Sequence, residues 1–135
     1  MIQGLSHLTF IVRDLEKMTR IITEVLGGEE VYSSGDKIFS TSREKFFAAG
    51  GLWIAIMEGE SLLTRTYNHV AFKVSDEQLE KAKAAIERLG LDVKPPRPRV
   101  DGEGHSLYFH DHDNHLFELH TGTLEERLAR YRQHS

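Results

Sequence analysis

The sequence predicts an α+β protein made of two copies of one βαβββ module. Residues 5–14 read Leu-Ser-His-Leu-Thr-Phe-Ile-Val-Arg-Asp, and residues 67–76 read Tyr-Asn-His-Val-Ala-Phe-Lys-Val-Ser-Asp, a repeat at an offset of 62 positions. In each copy an alternating strand pattern is followed by an apolar stripe of helical period and then by a glycine, Gly28 or Gly90. Because the repeat keeps His7 and His69 as well as apolar positions, it favours a site built by both copies.

The first module begins with a strand and a capped helix. Alternation over residues 5–12 separates a packing face from a second face that carries His7 and Thr9. Asp14 is placed to cap the following helix, whose apolar stripe ends at Gly27-Gly28. Three short strands complete the module, and they are predicted around Glu30–Tyr32, Lys37–Thr41 and Leu52–Met57.

The second module repeats this order. A strand over His69–Val74 precedes a helix that ends at Gly90. Strands follow around Leu91–Lys94, Ser106–His110 and Leu116–His120. Three prolines make the segment between residues 94 and 104 a loop, basic at its start, and an amphipathic helix is predicted over about 123–133.

Length and composition limit the class of protein. At 135 residues the chain is expected to form one domain, with module one over about 4–60 and module two over about 66–122. A net charge of −4 gives no reason to expect nucleic acid or a membrane as partner, and no signal peptide pattern is seen, so a cytoplasmic protein is expected. The chain has no cysteine, so any metal must be held by nitrogen and oxygen.

His7, His69 and Glu118 are a candidate set of metal ligands. Each is placed on the non-packing side of its strand, and two imidazoles with one carboxylate suit a divalent first-row metal with open positions for substrate. The position that corresponds to Glu118 in the first module is Ile56 or Ala55, so three protein ligands are expected. A single strand histidine is more often a packed, hydrogen-bonded side chain, and Glu118 alone could be an exposed carboxylate. The repeat favours the metal site.

Other polar residues have both a structural and a functional interpretation. His112 and His115 lie in a turn that we expect to be solvated. Glu44 precedes two aromatic residues, and an ion pair with Arg43 or Lys45 is its simplest interpretation. The remaining candidates are solvated or structural by default, yet each could bind an anionic substrate. They are Thr9, Arg97, Arg99, Ser106, Tyr108 and Arg127.

Several long strings resemble a known family. Paired βαβββ modules with His near the start of each and Glu near the end resemble the vicinal oxygen chelate superfamily of glyoxalases, extradiol dioxygenases and antibiotic-resistance proteins. Within it the chain is similar to the fosfomycin-resistance hydrolases of the FosX type, from residue 4 to about 131. The matching strings begin at Gly4, Ser42, Arg65, Arg97 and Asp113.

The resemblance implies a manganese-dependent enzyme that adds water to the epoxide of fosfomycin. It implies Mn2+, or another divalent first-row metal, on His7, His69 and Glu118, with Glu44 as the general base. Phosphonate contacts are implied for Thr9, Ser106, Tyr108, Arg127 and one of Arg97 and Arg99. It also implies a homodimer in which modules pair between subunits, with His7 from one subunit and His69 and Glu118 from the other.

Three alternatives stay open at this point. The thiol transferases of the same family open the same epoxide and share the metal ligands, but they lack the Glu in the Arg-Glu-Lys-Phe-Phe context of Glu44. A dioxygenase of this fold would use two histidines and a glutamate for ferrous iron. A metal-free protein that sequesters a drug is the third alternative.

Overall fold

The computed structural model describes residues 1–39, 41–95 and 104–133, and the chain divides into two compact units. The first unit comprises residues 1–65 together with 111–114, and the second comprises the described parts of 66–110 and 115–135. Arg97 and Arg99 lie outside the described residues. Among the described helices, none has the length and apolar character needed to cross a membrane.

The first unit is a four-stranded sheet with one helix. Its sheet order is β1-β4-β3-β2, with β1 parallel to β4 and the other neighbours antiparallel. The elements are β1 (Leu8–Val12), α1 (Leu15–Glu24), β2 (Glu29–Ser33), β3 (Glu44–Ala49) and β4 (Leu52–Glu58).

Helix α1 forms where the apolar stripe predicts it. The Asp14 side chain accepts the backbone N–H of Lys17 at the N-terminus, which confirms the predicted cap. One face of α1 is buried against β2, β3 and β4, and this contact forms the core of the unit. The core includes Met18, Ile21, Ile22, Phe47, Ile54 and Ile56.

The predicted strand over Lys37–Thr41 is wrong, because the third strand of the sheet is β3, from Glu44 to Ala49. The described residues near position 38 form a turn and bends instead. Lys45 obscured the strand pattern, since a lysine occupies a position that faces the core. Its ammonium is 2.8 Å from Glu16 Oε1 and 2.8 Å from Glu30 Oε1, which compensates for its burial.

The second unit repeats this architecture. Its sheet order is β5-β8-β7-β6, with β5 parallel to β8. The elements are β5 (His69–Lys73), α2 (Asp76–Leu89), β6 (Val93–Lys94), β7 (Ser106–His110), β8 (Leu116–His120) and α3 (Leu124–Gln133). The α+β class with two βαβββ modules is therefore confirmed.

Helix α2 begins one position earlier in the repeat than α1. Ser75 is its cap and forms a capping box with Gln78, so Asp76, the repeat partner of the Asp14 cap, is already the first helical residue. Gly90 ends the helix in the left-handed region at φ 67°, as predicted. The C-terminal helix α3 is also confirmed, although none of its residues is buried.

The turn after β7 belongs to the first unit rather than to the second. Asp113 is buried, and its Oδ1 accepts the backbone N–H of Arg13 at 2.9 Å and the hydroxyl of Ser61 at 2.6 Å. His112 in the same turn is exposed, as expected, and His115 is half-buried. One buried carboxylate thus connects residues 111–114 to two distant segments of the first unit.

Replacing Asp113 tests this connection. Asp113→Ala should lower the free energy of unfolding by about 1–3 kcal/mol, because two donors lose their acceptor. Asp113→Asn keeps an acceptor oxygen and should cost clearly less. Urea denaturation of the three proteins measures both differences, and equal losses for Ala and Asn would contradict the role given to the hydrogen bonds.

Candidate active site

The second unit brings His69 and Glu118 into direct contact. In the parallel pair of β5 and β8, Ala71 is the ladder partner of Glu118, so the carboxylate lies on the same side of the sheet as His69. Glu118 is only 5% exposed, and its Oε1 lies 3.1 Å from His69 Nε2. The structure therefore brings together two of the three residues of the candidate metal set.

The other side of the His69 ring determines which nitrogen can bind a cation. Nδ1 lies 2.7 Å from the carbonyl oxygen of Tyr67, and a carbonyl oxygen only accepts hydrogen bonds. Nδ1 therefore carries a hydrogen, and Nε2 of the neutral imidazole presents a lone pair to Glu118. Two acceptors then face each other, an arrangement that is satisfied by a second proton on the imidazole or by a metal cation.

Hydroxyl groups also hydrogen-bond to the Glu118 carboxylate. Ser106 donates to Glu118 Oε2 at 2.6 Å, and the Tyr108 hydroxyl also hydrogen-bonds to Glu118. Since the single hydroxyl hydrogen of Ser106 is used on Glu118, His120 Nδ1, 2.6 Å from Ser106 Oγ, must be the donor in that contact. Tyr67 in turn donates to the Tyr108 hydroxyl at 3.2 Å.

These contacts keep Glu118 ionised despite its burial. Burial alone would raise the pKa of this carboxyl, but hydrogen bonds from Ser106 and Tyr108 and the nearby imidazoles of His120 and His69 outweigh it, so the pKa is lowered. Burial, together with the hydrogen bonds to Tyr67 and Glu118, raises the pKa of Tyr108 to about 12. A charged carboxylate with protonated hydroxyl donors is a suitable oxygen ligand for a hard cation.

His7 lies in the first unit, directly before β1. Its ring packs on Trp53 with ring centroids 4.2 Å apart, and its Nδ1 is 2.9 Å from the Ser6 hydroxyl. Thr9 follows on the same side of the strand and is exposed. Within each unit, the described residues gather no set of three or more His, Asp or Glu side chains suited to a metal ion.

Glu44 is the first residue of β3 and belongs to the first unit. The ion pair predicted from sequence is wrong, because Arg43 pairs with Glu58 and Asp36, and Lys45 pairs with other carboxylates. The hydrogen bond from Arg43 to Glu58 raises the pKa of the guanidinium and lowers that of the carboxyl. With the residues that the structure describes, the half-buried Glu44 carboxylate itself forms no ion pair or hydrogen bond.

The strand ladders identify the repeat partner of Glu118. Thr9 pairs with Ala55 in the first sheet, and Ala71, 62 positions after Thr9, pairs with Glu118 in the second. Ala55 is thus the partner, and its methyl group cannot bind a metal. The prediction that the first module has no metal-binding residue at the position of Glu118 is consistent with this register.

Glu44 also has a repeat partner in the second module, which is Ser106. Glu44 begins β3 and Ser106 begins β7, 62 positions later, and Phe46 and Tyr108 correspond in the same way. Each sheet therefore has a polar residue at the same position on the face opposite its first helix. One module places a carboxylic acid there and the other a hydroxyl.

The remaining candidates and contacts divide between the two units. Arg127 is a half-buried residue of α3 in the second unit. Trp53, Tyr67 and His120 contact predicted site residues, but the sequence alone assigns them no role in the site. Tyr67 lies two positions before His69 in the repeated phrase. His120 lies two positions after Glu118, so strand alternation places both side chains on the same face and indicates His120 as a neighbour of the site.

Two βαβββ units, each with a histidine at or directly before its first strand, define a class of fold, and comparison with known proteins identifies that class. The chain matches the Glyoxalase/Bleomycin resistance protein/Dioxygenase superfamily over residues 4–119 and belongs to that family. This result confirms the resemblance found in the sequence.

Individual relatives indicate which members of the superfamily this chain resembles. The chain is 62% identical to the fosfomycin resistance protein FosX of Mesorhizobium japonicum, over 96% of this chain and 94% of that protein. It is 59% identical to FosX of Listeria monocytogenes, over 98% of this chain and 100% of that one. The metallothiol transferase FosB of Shouchella clausii is 35% identical over 97% of this chain and 88% of its own length.

Solved structures agree with the fold. A variant of Listeria monocytogenes FosX, complexed with Mn(II) and 1S,2S-dihydroxypropylphosphonic acid, superposes with a TM-score of 0.87 at 56% identity, over 97% of this chain and 99% of that one. FosX of Mesorhizobium loti gives a TM-score of 0.85 at 58% identity, over 96% of this chain and 100% of that one.

Proposed function

We propose that this protein is a Mn2+-dependent epoxide hydrolase that inactivates fosfomycin by adding water to its oxirane ring. Relatives named as fosfomycin resistance proteins share about 60% of its residues over nearly the whole chain. The diol bound to Listeria FosX is what water addition to an epoxypropylphosphonate yields, whereas thiol addition would leave a thioether. That ligand is the observation that most favours hydration.

His69 and Glu118 fit a divalent metal. Their facing acceptor atoms are 3.1 Å apart, and the imidazole is oriented by Tyr67 so that Nε2 is available. We assign His7 as the third ligand, contributed by the other subunit of a homodimer, as the superfamily resemblance implies. When bound, the metal supplies Lewis-acid stabilisation of the negative charge that develops on the epoxide oxygen.

Glu44 is the proposed general base. Its half-buried carboxylate has no ion-pair partner among the described residues, so the carboxylate oxygens are not engaged by another side chain. Glu44 takes a proton from water as the water oxygen bonds to a ring carbon and the carbon–oxygen bond of the oxirane breaks. The ring oxygen then takes up a proton from solvent and Glu44 releases its own to solvent, so the base is regenerated and the product is a vicinal diol with the phosphonate unchanged.

The phosphonate requires positive charge and hydrogen-bond donors. We assign this role to Thr9, Arg127 and one of Arg97 and Arg99, since a guanidinium binds two phosphonate oxygens at once. Ser106 and Tyr108 were also candidates from sequence. Each has one hydroxyl hydrogen, and both donate it to Glu118, so we propose that their first role is to hold the carboxylate.

Phosphorus NMR of fosfomycin with the Mn2+-loaded protein tests the reaction. We expect conversion to one diol product, at the same rate with or without added glutathione or another thiol, and no conversion after the metal is removed with a chelator. A thiol adduct would identify a transferase, and oxygen consumption on an aromatic diol would identify a dioxygenase. Tight binding of fosfomycin by the metal-free protein, without turnover, would identify a drug-binding protein.

Glu44→Gln tests the base. The rate of hydration should fall by about 10²- to 10⁴-fold, because the amide cannot accept the proton, while Mn2+ affinity measured by electron paramagnetic resonance stays unchanged. Glu29→Gln, at an exposed position of β2, is the matched control. A Glu44→Gln protein that hydrates fosfomycin at nearly the original rate would exclude this role.

His7→Ala tests the third ligand. Loss of an imidazole should abolish the metal-dependent rate and weaken Mn2+ binding in the same titration. His112→Ala removes an exposed imidazole from the turn after β7 and should change neither. Retention of full Mn2+ affinity by the His7→Ala protein would show that the metal is held by other residues.

A further inference from the structure

We infer that Ser34 is a positioning residue for Glu44, because Ser34 pairs with both backbone groups of Glu44 on the β2 side of β3. This inference rests on the proposed function of Glu44 as the base. Ser34 is a buried polar residue, 7% exposed, at the end of β2, and both of its contacts across the sheet go to Glu44.

The chain turns away from the sheet at Ser34. Ser33 is paired with Lys45, so Ser34 lies opposite Glu44, and its N–H donates to the Glu44 carbonyl at 3.0 Å. In a regular antiparallel pair the Ser34 carbonyl would accept the Glu44 N–H in return. Instead, this carbonyl accepts the N–H of Lys37 at 3.1 Å and closes a turn over residues 34–37.

The Ser34 hydroxyl replaces the missing acceptor. Glu44 N–H donates to Ser34 Oγ at 2.9 Å, so both backbone groups of Glu44 are paired with one residue. On the other side of β3, Glu44 is the ladder partner of Met57 in β4. Without the Ser34 hydroxyl, the part-buried N–H of Glu44 has no acceptor in the β2–β3 ladder. The Ser34 side chain thus extends the pairing of β2 with β3 by one residue, and that residue is the proposed base.

The position of the Glu44 carboxylate depends on this backbone pairing. The carboxylate has no hydrogen bond of its own to a described residue, so its location follows from where the backbone of Glu44 is held. The same turn also contacts the residue directly before β3, because Asp36 Oδ1 is 3.5 Å from Arg43 Nη1. A base must be held within a fraction of an ångström to act on one water molecule.

Ser34→Ala should therefore lower kcat for fosfomycin hydration by about 10- to 100-fold, the usual effect of a small misplacement of a reacting group. KM and Mn2+ affinity should stay within about twofold, since neither involves Ser34. Ser34→Thr keeps the hydroxyl and should restore most of kcat. Ser33→Ala, at the exposed neighbour whose hydroxyl oxygen accepts only the Gly35 N–H, is the matched control and should be neutral.

A double variant separates this inference from the proposed function. If Ser34 acts through Glu44, then Ser34→Ala should have little further effect on kcat in the Glu44→Gln background. Additive losses would show that Ser34 acts in another way and would overturn the inference. If Glu44→Gln alone leaves the rate unchanged, the proposed base fails first.

Amide hydrogen exchange provides a readout that needs no activity. The Glu44 amide should exchange faster in Ser34→Ala than in the original protein, while amides in the centre of β3 stay protected. If the alanine variant does not fold, Ser34→Cys has nearly the same size and a much weaker acceptor, and it should show the same loss of kcat and of protection. Unchanged protection and kcat in a folded variant would overturn the inference.

Discussion

The contact between His69 and Glu118 is the constraint on which the rest of the second unit depends. A carboxylate that is 5% exposed stays charged only if the protein supplies the donors that water would otherwise supply. Ser106 and Tyr108 on β7 supply them, and the pairing of Glu118 with Tyr108 across the β7–β8 ladder holds the donors in register. A shift of one residue in that ladder would turn these side chains to opposite faces.

The core on the other side of the sheet maintains this register. Phe117 and Leu119 flank Glu118 in β8 and are each 1% exposed, and α2 packs on the same sheet at β7. Alternation along a strand means that burying both neighbours turns Glu118 to the opposite face. The apolar residues therefore determine where the charge lies, and the hydroxyl groups on the next strand keep it ionised.

Much of this arrangement could be predicted from the sequence, and the failures have physical causes. Helices α1 and α2 and the last two strands follow from periodicity, because each has one face that is clearly apolar, and Gly90 marks the end of α2. The position of β3 could not be predicted, because Lys45 occupies a buried position in it. The cost of burying this ammonium is offset by ion pairs with two glutamates that are distant in the chain.

The burial of Asp113 could not be predicted either, since its hydrogen-bond donors lie about 50 and 100 positions away in the chain. The contact between Ser34 and Glu44 could not be predicted, because the Ser34 carbonyl is hydrogen-bonded within a turn instead of in the ladder. Residue type alone does not show where a carbonyl is paired.

The two modules also show how a duplicated sheet can acquire an asymmetric chemistry without a change of fold. Glu44 and Ser106 occupy the same position in the repeat, as do Ala55 and Glu118, so each carboxylate in one copy corresponds to a residue that cannot ionise in the other. Glu118 is held by several donors, as suits the proposed metal ligand. Glu44 has no side-chain partner among the described residues, as suits the proposed base, and for that reason its position must be set through the backbone.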